Sequence, residues 1–251
     1  MPERVFGFST KPPVIWKPSQ YAGQPVVAVA ATQLEDKGLN ASERRRVLAE
    51  WIEFFRTART TIAELQLVSR VPQELLDSVA GQPQLTALWV KWGPYRDITA
   101  VGELEQLTTL RLAGATGLER LDPLLALPRL SMLAVSEAHR LGGVSVLGDL
   151  TGLTSLVFGN EHLGSDKSVV VPDLEWVRTL GQLRSLSLPG TRLLNPDLSP
   201  ILALAELEEL RLPLRRHYRK QVFEYATSSA VFAQVAREYE SYETWRESHR
   251  S

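Results

Sequence analysis

One short pattern of apolar residues recurs seven times in the middle of the chain. The pattern is apolar-x-x-apolar-x-apolar, and its copies begin at Ile62, Leu85, Leu107, Leu130, Leu153, Leu183 and Leu207. Successive copies are separated by 23, 22, 23, 23, 30 and 24 residues. A period of this length predicts a solenoid in which each copy forms one short strand and neighbouring repeats stack on one another.

A second run of apolar residues follows most of these strands, with one apolar residue at every third position. The clearest runs are Ile98, Val101 and Leu104; Leu118, Leu121, Leu124 and Leu127; Leu174, Val177 and Leu180; and Leu198, Ile201 and Leu204. A step of three residues favours 3₁₀ or short α turns, because side chains three residues apart are eclipsed in a 3₁₀ helix. We therefore predict an α/β solenoid with a parallel concave sheet and helical turns on its convex side.

The apolar strand pattern followed by this run resembles the 22-residue class of leucine-rich repeats, as found in internalins and in nuclear regulators of protein phosphatase 1. The resemblance covers residues 61–213 and implies a curved array of about seven repeats. Such repeats usually carry an asparagine three residues after the last strand leucine. Here those positions hold Arg70, Gly93, Ala115, Ala138, Glu161, Thr191 and Arg215. We therefore expect water or other backbone groups to pair with the backbone of these turns.

Residues 1–60 are predicted to form an N-terminal cap made of a short strand at residues 25–31 and a helix over residues 41–57. Asn40 and Glu43 match a capping box in which asparagine replaces serine or threonine. The helix then repeats apolar residues at helical spacing along one face, namely Val47, Leu48, Trp51, Ile52 and Phe55. We expect this face to cover the open end of the first repeat.

Residues 214–251 are predicted to form a C-terminal capping helix and a charged tail. The apolar residues that define its face are Val222, Phe223, Ala226, Ala230, Val231, Val235 and Tyr239. A break is expected near Ser228 and Ser229, and the part beyond Tyr239 is expected to fray because it is strongly charged.

Composition removes several classes of function. The chain has no cysteine, which excludes thiol nucleophiles, disulfide-stabilised caps and cysteine zinc sites. Its 28 basic and 29 acidic residues nearly balance, which argues against a general polyelectrolyte binder. We find no phosphate-binding, dinucleotide-binding, nucleophile-elbow or zinc-protease motif. We therefore expect a non-enzymatic protein with no cofactor and no bound metal.

The sequence also bears on where the protein resides. Its first twenty residues contain charges and prolines instead of the apolar core of a signal peptide. No stretch reaches the roughly 18 uninterrupted apolar residues that a membrane helix needs. We expect a cytoplasmic protein of bacterial type.

Large side chains between the strand leucines concentrate in the second repeat. Tryptophan, tyrosine and arginine dominate interface hot spots, because each buries a large area and carries a polar group. The predicted partner-binding residues on the concave face are Trp89, Lys91, Trp92, Tyr95, Arg111, Met132, Val157 and Arg211. The alternative is that Trp89 and Trp92 pack on the N-terminal cap.

A second row of candidate residues lies four positions past the strands, at one edge of the array. Its titratable and cationic members are His139, His162, Arg192 and Arg216. Three interpretations compete for this row: a metal site completed by Glu137 and Glu161, a basic strip that meets an acidic partner, and solvated loop tips. A metal site is the least favoured of the three, because two histidines alone provide too few ligands.

These patterns favour a protein-binding module or scaffold, and the inhibitor or immunity type that blocks an enzyme's active site is one specific form of it. The alternative is RNA or a phospho-ligand, bound by the loop-edge row and the basic residues between Arg215 and Lys220. The insertion at residues 159–172 either joins the binding face or is a neutral surface loop. We expect a monomer or a weak homodimer formed through one end of the array.

Overall fold

The computed structural model describes residues 4–161 and 167–249. The chain forms two compact units, Met1–Gly143 and Val144–Ser251. Both are built from short parallel strands joined by helical turns, which is the architecture that the repeat predicts.

The first unit opens with a two-stranded antiparallel hairpin and continues into a parallel sheet. The hairpin consists of β1 (Arg4–Val5) and β2 (Phe8–Ser9). The sheet contains six strands that are adjacent in chain order: β3 (Val14–Ile15), β4 (Val26–Val29), β5 (Glu64–Arg70), β6 (Ala87–Trp92), β7 (Thr109–Leu112) and β8 (Met132–Ser136). The sheet therefore begins two strands before the first copy of the repeat pattern.

Strand β4 lies where the sequence predicts a strand, and it pairs directly with β5. Val26 and Val29 are in register with Glu64 and Leu67, so the segment before the repeats continues the same sheet. Between β5 and β6 the register shifts by one residue after Leu67, which is a β-bulge.

Helix α1 (Ala41–Thr57) connects β4 to β5 and begins with the predicted capping box. The Asn40 side chain accepts hydrogen bonds from the backbone N–H groups of Ser42 and Glu43, at 2.9 and 3.1 Å. The Glu43 carboxylate accepts the Asn40 N–H at 2.8 Å, which completes the box. One face of the helix is buried, through Val47, Trp51 and Phe55.

The other connections of the first unit are short. Before β5 they contain 3₁₀ turns at Pro18–Gln20 and Glu35–Lys37. After β5 they contain α2 (Gln73–Asp77) with a 3₁₀ turn at Ser78–Gly81, α3 (Thr99–Gly102), and a 3₁₀ turn at Asp122–Ala126. The run of apolar residues at every third position thus forms 3₁₀ or short α turns, as predicted.

The second unit repeats this plan and ends in two helices. Strands β9 (Ser155–Gly159), β11 (Ser185–Ser187) and β13 (Glu209–Arg211) pair in parallel. Strands β10 (Val169–Val171) and β12 (Thr191–Leu193) form a separate small sheet. The 3₁₀ turns span Ser145–Asp149, Glu175–Thr179 and Ser199–Ala203.

The C-terminal segment of the second unit forms α4 (Arg219–Tyr225) and α5 (Ala230–Ser248). The break between them contains Ser228 and Ser229, where the sequence predicts it. Helix α5 contacts β13 and buries Val231, Phe232, Val235, Ala236 and Tyr239. The helix continues to Ser248, and most side chains beyond Tyr239 are exposed.

Neighbouring backbone groups and side chains close several of the turns that lack the family asparagine. The Val71 N–H donates to the Trp92 carbonyl, and the Ala115 N–H donates to the Ser136 carbonyl, both at 2.9 Å. The Arg215 guanidinium donates to the Thr191 carbonyl, also at 2.9 Å. The prediction that other groups satisfy these turns is therefore correct at these positions.

The end of α1 is held by the 3₁₀ turn that precedes β6. Gln82 is fully buried, and its Nε2 donates to the carbonyls of Phe55 and Ala58 at 2.7 and 2.9 Å. At Gly81 a β-carbon would lie only 2.2 Å from the Phe55 carbonyl oxygen. The absence of a side chain at Gly81 is therefore what lets helix and turn approach this closely.

We expect Gly81→Ala to lower the free energy of unfolding by about 2 kcal/mol, because the helix and the turn must move apart. Gly143→Ala is the matched control, since nothing lies within 4 Å of a β-carbon there. The control should change stability by less than about 0.5 kcal/mol. Urea denaturation of both variants checks the prediction, and equal effects would contradict it.

Candidate partner-binding face

The residues between the strand leucines form one face of the first unit's sheet, because alternate residues of a strand point to opposite sides. We call this surface the inter-leucine face. It consists of Glu64, Gln66, Ala87, Trp89, Thr109, Arg111, Met132 and Ala134. These side chains would be open to solvent if nothing covered them.

The hairpin β1–β2 covers part of this face. Its turn is formed by Phe6 and Gly7, which both have positive φ angles of 48° and 77°. Such a pair of angles is typical of the tight two-residue turns of hairpins. Gly7 lies against the sheet, since a β-carbon there would be 3.3 Å from Met132 Sδ and from Thr109 Cγ2.

Glu64 and Gln66 bind the backbone of a single hairpin residue, Ser9. Glu64 Oε1 accepts the Ser9 N–H at 2.8 Å, and Glu64 Oε2 accepts the Ser9 hydroxyl at 3.1 Å. Gln66 Nε2 donates to the Ser9 carbonyl at 2.8 Å and to Glu64 Oε1 at 2.8 Å. Glu64 and Gln66 are only 3% and 2% exposed, so these hydrogen bonds compensate a buried carboxylate and a buried amide.

An aromatic and cationic cluster adjoins this pair. The Phe8 ring is 5.9 Å from the Trp89 ring, centroid to centroid, and the Arg111 guanidinium lies 5.2 Å from the Trp89 ring centroid. Trp89 and Arg111 are register partners on β6 and β7, which explains their proximity. The indole N–H of Trp89 is buried and finds no acceptor among the described residues.

Lys91 and Trp92 lie at the carboxyl end of β6, and both are exposed. The Trp92 side chain is 39% exposed, a high value for tryptophan. Gly114 on the next connection leaves room for it, because a β-carbon at Gly114 would be 2.7 Å from Trp92 Cβ. The structure therefore presents a tryptophan and a lysine to solvent beside the hairpin-covered surface.

The leucines of the strand phrase lie on the opposite side of the sheet from this face. Leu65, Leu88, Leu110 and Leu133 are successive register partners, and each is fully buried. In the second unit Leu156, Leu186 and Leu210 form an equivalent buried row. Each repeat thus contributes one strand to its parallel sheet, and the leucines of neighbouring strands are aligned. This arrangement is that of a leucine-rich repeat.

The protein has the leucine-rich-repeat fold.

Solved structures of other leucine-rich-repeat proteins resemble the chain. An internalin, InlF, from Listeria monocytogenes is 18% identical, with a TM-score of 0.47 over 75% of this chain and 54% of that one. A second internalin of the same species, InlC2, is 19% identical, with a TM-score of 0.44 over 65% and 75%. A leucine-rich-repeat protein of Leptospira interrogans is 18% identical, with a TM-score of 0.46 over 66% and 45%.

The chain spans about half the length of InlF and less than half of the Leptospira protein. No protein-family model and no curated protein sequence matches it. The fold assignment therefore rests on the repeat geometry of the chain itself.

Tyr95 corrects the predicted binding set. It is fully buried, so the expectation that it contributes to an exposed aromatic group around Lys91 is wrong. The Tyr95 ring lies in the core of the leucine-rich repeat, beside Gly93, where a β-carbon would be 3.0 Å from the ring. Burial raises the pKa of the Tyr95 hydroxyl, which has no hydrogen-bond partner among the described residues.

The two tryptophans of the second repeat, Trp89 and Trp92, have different surroundings. The alternative interpretation placed both of them against the N-terminal cap. Trp89 packs on the N-terminal segment through Phe8, as that alternative expects. Trp92 remains 39% exposed. Met132 is partly covered and lies against Gly7.

The remaining predicted residues of the binding face belong to the second unit. Val157 on β9 is partly exposed and Arg211 on β13 is exposed, and both are register partners of Ser187 on β11. They therefore lie in one row across the strands of that unit.

Most of the loop-edge row is exposed. His139, Arg192 and Arg216 all have exposed side chains, whereas His162 lies outside the described residues. Among residues 4–161 and 167–249, no three histidine, aspartate or glutamate side chains come together as metal ligands. None of the helices in this part of the chain is long and apolar enough to cross a membrane.

The basic residues near the start of α4 are partly engaged in internal contacts. Arg215 donates to Thr191 and to the Ser168 hydroxyl, and Arg219 forms a bidentate pair with Glu243 at 2.9 and 3.1 Å. Tyr218, between them, is buried. Two of the cations that a nucleic acid would need are therefore already partnered within the protein.

Sequence reasoning missed Phe8, Ser9, Glu64 and Gln66 as members of the candidate site. A signal was nevertheless present, since Phe6 and Gly7 stand between two short β-forming pairs, as in a tight hairpin turn. Two polar residues at neighbouring inter-leucine positions of the first repeat were a second signal, because polar groups there need partners when covered.

Two buried tyrosines provide a test of the site's surroundings. Tyr95→Phe removes a buried hydroxyl without a partner, so we expect the free energy of unfolding to rise by about 1 kcal/mol. Tyr218→Phe is the matched control, because the Tyr218 hydroxyl accepts the Leu193 N–H at 3.2 Å. The control should lower stability by about 1 kcal/mol. Chemical denaturation measures both changes in the free energy of unfolding. A loss of stability in Tyr95→Phe would contradict a buried Tyr95 hydroxyl without a hydrogen-bond partner.

Proposed function

We propose that the protein is a non-enzymatic protein-binding module whose inter-leucine face, together with Lys91 and Trp92, holds a partner protein. The observation that carries this proposal is that the face already holds a peptide segment. Glu64 and Gln66 bind the backbone of Ser9, and Trp89 receives the Phe8 ring. A surface that binds a segment of its own chain in this manner has the chemistry needed to bind a segment of another.

The residues next to the hairpin support the same proposal. Trp92 and Lys91 are exposed, and tryptophan is among the residues most enriched in interface hot spots. Arg111 lies over Trp89, so a planar cation and an aromatic ring are stacked on this face. These side chains combine apolar area with polar groups that can fix a partner's orientation.

We further propose that the second unit has partner contacts of its own, Val157 and Arg211, and that the exposed side chains of His139, Arg192 and Arg216 also meet the partner. Exposed cations increase the rate of association with an acidic partner more than they increase affinity. The inhibitor or immunity-type role is a narrower form of this proposal. In that form the partner is an enzyme, and binding blocks access to its active site.

We expect the double variant Lys91→Ala, Trp92→Ala to bind a captured partner protein at least about 30-fold more weakly than wild type, which corresponds to roughly 2 kcal/mol. Wild-type and variant proteins would be used as bait, and the captured partner would then be purified and titrated by calorimetry. Trp245→Ala is the control, because Trp245 is 55% exposed but lies on α5.

A folded double variant with wild-type affinity would contradict the proposal. A second titration at higher salt separates it from phosphate-driven binding, which weakens steeply as salt increases. If the captured partner is an enzyme, its activity at saturating wild-type protein tests the inhibitor form directly.

A further inference from the structure

The hairpin β1–β2 contacts the inter-leucine face through Gly7, Phe8 and Ser9. Each strand has only two residues, and the hairpin is not part of the parallel sheet. An isolated two-stranded hairpin is marginal in water even when it is longer than this. The segment that follows, residues 10–13, is mostly exposed and contains two prolines.

The contacts that hold the hairpin are those of a bound peptide. Phe8 is 2% exposed and Ser9 is 6% exposed, although both precede the repeats by more than fifty residues. Glu64 accepts both the N–H and the hydroxyl of Ser9, while Gln66 donates to the carbonyl of the same residue. One residue of the peptide is thus bound through its backbone donor, its backbone acceptor and its side chain.

This pattern selects for a particular kind of segment. The Glu64 carboxylate only accepts hydrogen bonds, so the bound residue must offer an N–H, which proline lacks. A covered carboxylate without donors would be strongly unfavourable, so a small hydroxyl residue such as serine fits best at this position. The preceding residue must be aromatic to occupy the place of Phe8 against Trp89.

The hairpin does not satisfy the whole face. The Trp89 indole N–H is buried with no acceptor among the described residues. A buried donor left unpaired makes binding less favourable than it could be. A segment that places a carbonyl or carboxylate oxygen opposite Trp89 Nε1 would therefore bind better than the hairpin does.

We propose that residues 4–9 are a tethered ligand of the inter-leucine face, and that the partner is a protein segment with an aromatic–serine pair in an extended conformation, which displaces the hairpin. This inference rests on the proposed function and specifies the partner's chemistry. Tethering supplies the hairpin at an effective concentration in the millimolar range, so it competes without binding tightly. Only molecules with an undocked hairpin can bind the partner, so the apparent affinity falls in proportion to the fraction of such molecules.

The test uses the full chain and a synthetic peptide with the sequence of residues 4–11, RVFGFSTK. Gly7→Val opens the face without changing any residue of the sheet, because a branched side chain is disfavoured at φ 77° and would meet Met132 and Thr109. Phe8→Ala is a second opening variant, and Phe6→Ala is the matched control on the same hairpin. The indole N–H signal of Trp89 in isotope-labelled protein reports on binding.

We expect the peptide to shift the Trp89 signal of the Gly7→Val protein at a concentration at least tenfold lower than it needs with wild type. Phe6→Ala should behave like wild type, and a peptide carrying alanine in place of the second phenylalanine should not bind. Equal peptide concentrations for wild type and both opening variants, or no binding to any of them while they remain folded, would overturn the proposal.

Two further outcomes are informative. A wild-type dimer that forms with rising concentration and is lost in Gly7→Val would show that the hairpin exchanges between copies, which would overturn the proposal in favour of a second copy as the occupant. The peptide result is independent of partner capture. If the peptide effect is absent, only the tethered-ligand proposal is contradicted. If the Lys91→Ala, Trp92→Ala variant captures the partner like wild type, only the proposed function of Lys91 and Trp92 is contradicted.

Discussion

The alignment of buried leucines across parallel strands is the constraint on which the rest of each unit depends. In the first unit, Leu65, Leu88, Leu110 and Leu133 form one fully buried row. Because strand side chains alternate, fixing this row also fixes which residues form the opposite face. A shift of one residue would bury Trp89 and Arg111 in place of Leu88 and Leu110. The composition of the candidate surface is therefore a direct consequence of leucine spacing.

The features that the sequence predicts correctly are those encoded locally. The strand phrase, the period-three turns and the capping box of Asn40 and Glu43 each depend on residues within a few positions of one another. The break between α4 and α5 is also local, since Ser228 and Ser229 are poor residues for a helix interior. Each of these features can be recognised without knowing what lies across the sheet.

The features that the sequence does not predict depend on contacts between distant segments. Glu64 and Ser9 are 55 residues apart, and nothing in either local pattern indicates that they meet. Tyr95 is the reverse case, because its position after a strand suggests exposure, yet the turn at Gly93 leads its ring into the core. Trp89 and Trp92 are close in sequence, but Phe8 and Arg111 cover Trp89 whereas Trp92, at the end of β6, remains exposed. The position of the candidate face is thus predictable, whereas its state of coverage is not.

The separation between Ser9 and Glu64 also has a consequence for the order of events during synthesis. Residues 4–9 leave the ribosome before the surface that binds them, which requires Glu64 and Gln66 on β5, Trp89 on β6 and Met132 on β8. Contacts between distant segments form only after both have been made, and closing a long loop carries an entropic cost. During this interval Phe6 and Phe8 are exposed on the nascent chain. This segment therefore reaches its native position only after β8 has been made.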